Sequence, residues 1–350
     1  MELNLLRSAG QLFILLAFAL TTAFQQLPDH VAVVGGDPIP TALFQQRVRL
    51  ARWTTAQQLL QVMQTYGPNA LTDPGSPYNG QYKNLNDSVT FAQQVLDSLI
   101  TVKLVQREAA ARGITVTDDD VQNQINAFFG YAPNATPQPP QPGETPQPSL
   151  NPTEMAQAFQ EERDNYFGQA GDIARMSQAE VIATFAEQAL QIKVYEALTK
   201  NVPTQGQQVK VRHILVDSLE KANALLAQIQ GGASFADVAK ANSQDATSAA
   251  NGGDLGWSPH GVYFPEFEDA IWKVAPGTLI GPIKTPVGFH LILVEGREVR
   301  PLTEADLIRE RDAVYRLWLQ QARDKANVQI VDNWPALIPA EPTLKALGLP

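Results

Sequence analysis

The spacing of apolar positions divides this chain into stretches of different period. Residues 8–27 are uncharged, with a continuous apolar centre at Leu12-Phe13-Ile14-Leu15-Leu16-Ala17-Phe18-Ala19-Leu20. As a helix this run would reach about 30 Å, the thickness of a bilayer's hydrocarbon core. A short apolar run at 31–34, followed by Gly35-Gly36-Asp37-Pro38, predicts a strand and a turn. Helical spacing then takes over. Phe44, Val48 and Ala51 mark a helix from Thr41; Phe91, Val95, Leu96, Leu99, Val102 and Val105 mark a second, stopped by Gly113. Thr117 followed by Asp118, Asp119 and Asp120 predicts another start, where negative charge suits a helix N-terminus. Ser177 and Glu180 form a capping-box pattern ahead of a helix that ends near Lys200. Between these, 67–86 is rich in Gly, Pro, Asn and Asp and reads as a loop. The segment 132–152 holds eight prolines among polar residues and reads as an extended surface linker.

Beyond residue 203 the pattern changes to short strand-like runs, notably Val211-Arg212-His213-Ile214-Leu215-Val216 and Val287-Gly288-Phe289-His290-Leu291-Ile292. A helix returns at 303–325, with Leu307, Val314, Leu317, Trp318 and Ala322 on or near one face. Residues 328–331 read as a strand too short to stand alone. The other short strand outside the 209–299 block is 31–34, so the two are expected to pair. Residues 335–350 form a proline-containing tail with no evident role in the sequence.

Composition narrows the function classes. The chain has 350 residues, room for two domains, and ordinary apolar and charged fractions of 44% and 18%. A net charge of −10 argues against a nucleic-acid partner, which needs a basic face. The absence of cysteine excludes disulfides, thiolate metal sites, a cysteine nucleophile and a lipid on an N-terminal cysteine. The histidines at 30, 213, 260 and 290 have no metal-ligand spacing, so no metal site is expected. Arg7 precedes the apolar run, and the first charge after it is Asp29. This predicts an uncleaved membrane anchor with the body outside the cytoplasm. The alternative is a signal peptide whose cleavage leaves a secreted or periplasmic protein, although Thr21-Thr22-Ala23 is a poor cleavage site.

The densest glycine cluster is Asn251-Gly252-Gly253-Asp254-Leu255-Gly256-Trp257, with no phosphate-loop lysine after it. It is followed by Phe264-Pro265-Glu266-Phe267-Glu268-Asp269-Ala270, by Ile280-Gly281-Pro282-Ile283-Lys284-Thr285, and by the run that carries His290. The run that carries His213 precedes it. In this order the motifs resemble the parvulin family of peptidyl-prolyl cis-trans isomerases over 209–299. More weakly, a strand, a Gly-Asp-Pro-Ile turn and a helix after a targeting segment resemble the N-terminal half of SurA/PrsA-type foldases. The resemblances imply an α+β fold: a parvulin domain, with a four-stranded antiparallel sheet and surrounding helices, inserted in a mainly helical chaperone-like domain. The implied boundaries are a signal anchor or signal peptide at 1–27, a helical domain at 28–206 with the Pro-rich loop at 132–152, the isomerase at 207–300, a returning helix and strand at 301–334, and the tail at 335–350. The implied partners are unfolded or partly folded clients with X-Pro bonds, and the membrane through the N-terminal segment.

The chemistry implied is rotation about an X-Pro bond, whose barrier is near roughly 20 kcal/mol because the twisted state loses amide resonance. It requires no nucleophile, metal or cofactor, only a groove that binds the twisted amide better than either planar isomer. By the resemblance, His213 and His290 are paired histidines that orient the site. Asp245 faces the reacting carbonyl, with a pKa raised if it is desolvated, and Thr285 hydrogen-bonds toward the histidines. Taken alone, Asp245 reads as an Asx-turn or cap, and either histidine as a satisfied core residue. The proline pocket maps onto Leu255, Tyr263 and Phe267, with tyrosine where the family commonly has methionine. Phe289 reads as core; Trp257 reads as either rim or core. Phosphate-specific members place a basic loop after the first strand, where this chain has the acidic Val216-Asp217-Ser218-Leu219-Glu220. The client is therefore expected to be unphosphorylated. The competing expectation is a non-enzymatic holdase whose parvulin module only binds chains. A serine hydrolase is disfavoured by the lack of a Gly-x-Ser-x-Gly elbow.

Overall fold

The computed structural model describes residues 28–132 and 151–350; the predicted anchor or signal peptide and most of the Pro-rich loop lie outside these. In chain order come β1 (His30–Val34), β2 (Asp37–Pro40), α1 (Thr41–Tyr66), α2 (Asn79–Asn86), α3 (Ser88–Arg112), α4 (Asp118–Phe128), α5 (Pro152–Ala174) and α6 (Gln178–Thr199). There follow β3 (Gln205–Val216), α7 (Leu219–Gln230), α8 (Phe235–Asn242), α9 (Ala246–Ala249), β4 (Asp254–Pro259) and α10 (Pro265–Trp272). Last come β5 (Leu279–Thr285), β6 (Gly288–Pro301), α11 (Glu304–Lys325) and β7 (Gln329–Ile330). The class is α+β. Among the described residues no helix is long and apolar enough to cross a membrane.

Two compact units divide the chain. The first comprises residues 28–100, Tyr166–Ser177 and Val328–Pro350. Its three strands run in the order β2-β1-β7, with Ala32 opposite Ile330 and Val33 opposite Gln329, so the expected pairing of the chain's two ends is present. Val31, Ala32, Val34 and Ile39 are fully buried, as are Phe44, Val48 and Leu59 of α1, the helix that packs against β1 and β2. The stretch 67–86, read as a loop, contains a 3-10 turn at Pro68–Leu71 and the helix α2. Leu71 and Leu85 anchor it in the core, and the Asn79 amide donates to the Leu71 carbonyl at 2.8 Å. Two isolated leucines in a polar segment leave no period to detect. The tail is also structural. Leu337, Leu347 and Leu349 are buried, and Trp334 meets Phe44 edge-on at 6.1 Å. The Arg52 guanidinium donates to the Pro339 carbonyl at 2.6 Å, and the Tyr82 hydroxyl donates to the Pro350 carbonyl at 2.8 Å.

The second unit holds residues 101–132, 151–165 and 178–327. Thr117 caps α4 as its sequence predicted: its hydroxyl accepts from Asp120 N at 3.2 Å, and the Asp120 carboxylate accepts from Thr117 N at 2.8 Å. Lys193 of α6 pairs with the same carboxylate. On α11 Trp318 packs against Val105, Ala109 and Val194. Leu317, however, is 57% exposed, and Val314 is exposed beside it. The apolar face read from the sequence is therefore wider than the strip that α11 buries against α6 and the end of α3.

The four remaining strands form an antiparallel sheet in the order β4-β3-β6-β5. Alternation along β3 sends Ile214 and Val216 to one face, where Ala222, Leu225, Phe235 and Val238 of α7 and α8 cover them. Val209 and Val211 go to the other face, with Ile292 and Val294 of β6, beneath Phe267 and Ile271 of α10. His213 and His290 continue the rows on this second face.

Candidate active site

His213 pairs across the ladder with Ile292, and Leu215 with His290. The two histidines are thus diagonal neighbours on one face of adjacent strands, close enough to touch. Their Nδ1 atoms lie 3.2 Å apart, and the rings are near-parallel with centroids at 5.4 Å. Both are buried, at 7% and 4% exposure. Thr285 Oγ1, at the end of β5, lies 2.8 Å from His290 Nε2. Asp245 Oδ2 lies 2.7 Å from His213 Nε2.

Local chemistry holds Asp245 in place. Gln244 N donates to the Leu215 carbonyl at 2.8 Å, and Leu215 N donates to Ser243 Oγ at 3.1 Å, fastening the loop to the end of β3. Asp245 then caps α9: its Oδ1 accepts from Thr247 N at 3.2 Å and Thr247 Oγ1 at 2.6 Å, and its Oδ2 accepts from Ser248 Oγ. The expectation of a raised carboxyl pKa is overturned here. Partial burial pushes it up, but the hydrogen bonds from Ser248, Thr247 and His213 outweigh that and hold it well below the usual carboxylate range. Asp245 both caps α9 and meets His213. Its helpers Thr247 and Ser248 were missed, although a carboxylate followed two and three residues later by hydroxyls is a capping signature.

An ionised Asp245 orders the protons. It can only accept, so His213 Nε2 carries hydrogen. His213 Nδ1 and His290 Nδ1 face each other across the pair, and His290 Nε2 faces the Thr285 hydroxyl. The chain Thr285–His290–His213–Asp245 is continuous. Burial, and next the neighbouring His213, lower the His290 pKa to about 4, with Asp245 opposing, so His290 is neutral near pH 7.

The glycine turn is built onto His213. Gly253 has φ 77°, its carbonyl accepts from His213 N at 2.8 Å, and a Cβ there would lie 2.1 Å from the His213 carbonyl oxygen. On the opposite face Arg212 donates to the Asn251 and Gly252 carbonyls at 2.9 and 3.2 Å. It also reaches Asp254 at 3.1 Å and Glu295 at 2.6 Å. Nothing in the run around Arg212 announced this clamp.

Beside the polar chain stands an apolar wall. The Phe267 ring meets His290 edge-on at 5.3 Å and His213 at 6.1 Å. Tyr263 lies against Phe267 at 4.7 Å, its hydroxyl 2.8 Å from Ser258 Oγ, and Leu255 joins the same cluster. All seven residues singled out from the sequence therefore meet on one side of the sheet. Phe289 packs in the core beneath α7 and α8, on the far side. Trp257 lies across Gly296, where a Cβ would come within 2.8 Å of its ring, and under the Arg300 guanidinium at 4.6 Å, a packing role. Among the described residues no three His, Asp or Glu side chains are grouped as metal ligands.

Residues 192–298 match the PPIC-type peptidyl-prolyl isomerase domain, and residues 8–144 match the SurA-like N-terminal domain. A foldase protein PrsA of Caldanaerobacter subterraneus is 27% identical over 316 residues, spanning 89% of this chain and 85% of that protein. A chaperone SurA of Aromatoleum aromaticum is 37% identical over 145 residues, 36% of this chain and 33% of that protein. A probable parvulin-type isomerase of Bordetella bronchiseptica is 35% identical over 170 residues, 45% of this chain and 65% of that protein. This chain thus spans most of the PrsA relative but a third of the SurA relative and under two thirds of the Bordetella one.

Proposed function

Because this chain belongs to the parvulin-type peptidyl-prolyl cis-trans isomerases and carries a SurA-like domain ahead of the isomerase domain, we propose that it turns X-Pro bonds of unfolded protein clients in the groove between the histidine chain and the Phe267 wall. Isomerase activity is paired with chaperone function. The observation that carries the assignment of the groove is the unbroken chain Thr285–His290–His213–Asp245 lying against Leu255, Tyr263 and Phe267.

In this reading Leu255, Tyr263 and Phe267 grip the proline ring, so that rotation moves the preceding carbonyl over the polar chain. In the planar amide the carbonyl oxygen carries extra negative charge from resonance; in the twisted amide it carries less. Anionic Asp245 beside it disfavours the planar state more than the twisted one, which is differential binding of the transition state. His213 and His290 hold Asp245 and the pocket in register without moving a proton. Client segments are unphosphorylated: the residues after β3 are acidic, and Ser218 caps α7 there. The work is extracytoplasmic, with the segment before Pro28 as anchor or signal. The isomerase occupies 207–300, and client holding falls to the helical parts at 28–206 and 301–334. The test is isomerisation of proline tetrapeptides by the full chain, unphosphorylated against phosphoserine-proline. No acceleration by folded protein ends the isomerase reading; preference for the phosphopeptide ends the client reading.

A further inference from the structure

The loop that brings Tyr263 to the pocket has no regular structure to hold it, yet one side chain of α10 gathers it. Glu268 is 13% exposed. Its Oε1 accepts from two successive backbone donors, Val262 N and Tyr263 N, each at 3.1 Å. Its Oε2 accepts from the Trp272 indole at 2.6 Å and lies 3.6 Å from His260 Nδ1. The His260 ring in turn stacks on the Trp272 indole at 3.6 Å. One carboxylate thus ties residues 260–263 to the helix that carries Phe267.

A bland account exists: acidic residues favour the first turn of a helix, and Glu268 lies near the start of α10. That account explains a charge at this position. It does not explain two consecutive amide N–H groups converging on one oxygen, nor an indole and an imidazole converging on the other. These contacts belong to the loop and to the helix's far end. Tyr263 is consequently held at both ends, by Glu268 at its main chain and by Ser258 at its hydroxyl.

We infer that Glu268 is a positioning residue for the proline pocket: it sets the place of Tyr263 against Phe267 and so fixes the pocket's width. The inference rests on the reading of Leu255, Tyr263 and Phe267 as the proline-binding wall. Glu268 does not touch substrate; it acts through Tyr263. Its loss should therefore weaken substrate binding while leaving the Thr285–His290–His213–Asp245 chain, and with it kcat, in place.

The test is a double-mutant cycle in the full chain, with Glu268→Gln, Tyr263→Ala and the pair. Glutamine is isosteric, but its amide nitrogen meets the indole N–H donor with another donor, and the charge that gathers the loop is gone. We expect Glu268→Gln to raise KM for an X-Pro tetrapeptide at least about tenfold, the equivalent of about 1.4 kcal/mol. In the Tyr263→Ala background it should add less than about twofold, because the group it positions is absent. A purely structural role would give additive losses instead. Hydrogen exchange supplies a readout independent of activity. In Glu268→Gln the amides of Val262 and Tyr263 should lose protection, while that of His213, bonded to Gly253, keeps it. If Tyr263→Ala raises KM but Glu268→Gln leaves it unchanged or adds fully to it, the inference fails and the pocket reading stands. If Tyr263→Ala leaves KM unchanged, the pocket reading fails and the pocket role of Glu268 fails with it. If the two loop amides stay protected, the inference is overturned whatever the kinetics.

Discussion

Placing a methyl group on Gly253 tests whether His213 is held by the glycine turn. At φ 77° an L-residue is strained by roughly 1–2 kcal/mol wherever it sits. Gly253 carries a second penalty, because its Cβ would lie 2.1 Å from the His213 carbonyl oxygen and near the backbone C and N of the same residue at 3.1 and 3.2 Å. Real Cβ contacts begin at about 3.0 Å, so the turn and β3 must separate by about 0.9 Å. Such overpacking costs a further ~1–3 kcal/mol. The displaced residue is His213, which spans the gap between Asp245 at 2.7 Å and His290 at 3.2 Å. A shift of that size in a positioned group lowers catalytic efficiency by on the order of a hundredfold. Gly256 provides the control: it has φ 72°, but its Cβ would meet nothing within 4 Å. Gly256→Ala should lose about 1–2 kcal/mol and keep its activity. Gly253→Ala should be less stable and nearly inactive while still folded. The measurements are urea unfolding and the rate of tetrapeptide isomerisation for both variants at matched folded fraction. If Gly253→Ala keeps full activity, or Gly256→Ala loses as much, the turn does not position His213.

Three further outcomes are expected. Phe267 is 2% exposed, so Phe267→Ala should cost roughly 3–5 kcal/mol of stability; folded protein should also lose catalytic efficiency, and full activity in a folded variant would remove Phe267 from the pocket. His290, with its pKa lowered to about 4 from an unfolded value of 6.5, stays neutral where the unfolded chain takes up a proton. Stability should be fully present above about pH 6.5 and fall as pH drops toward 4, by at most about 3 kcal/mol; urea titrations of the wild type and His290→Asn should differ in this window, and identical slopes would contradict it. Truncation after Asp332 removes the buried Leu337, Leu347 and Leu349 and the partners of Arg52 and Tyr82. The first unit should then melt at a lower temperature while the isomerase site keeps its activity; an unchanged melt would show that the tail contributes nothing.

Features set by short-range rules were legible in the sequence. Thr117 and its aspartates announced the start of α4, because a cap needs only three residues and their own backbone. The helices beginning at Thr41 and Ser88 followed from apolar spacing, since each must bury one stripe. His213 and His290, with the glycine turn and the Phe264-to-Ala270 motif, announced the isomerase domain through their order along the chain. Tertiary structure decided what depends on a partner distant in sequence. The Asp245 carboxyl ends up lowered, not raised, because Ser248, Thr247 and His213 converge on it; desolvation alone, readable from a motif, has the opposite sign. Leu337 and Leu349 looked like a tail because prolines space them without a period, and only the pocket beside α1 gives them a place. Arg212 and Glu268 had no assigned role in the sequence reading. Their effect lies in carbonyls and amide N–H groups brought to them by a turn and a loop, and side-chain pattern carries no record of where backbone donors and acceptors will point.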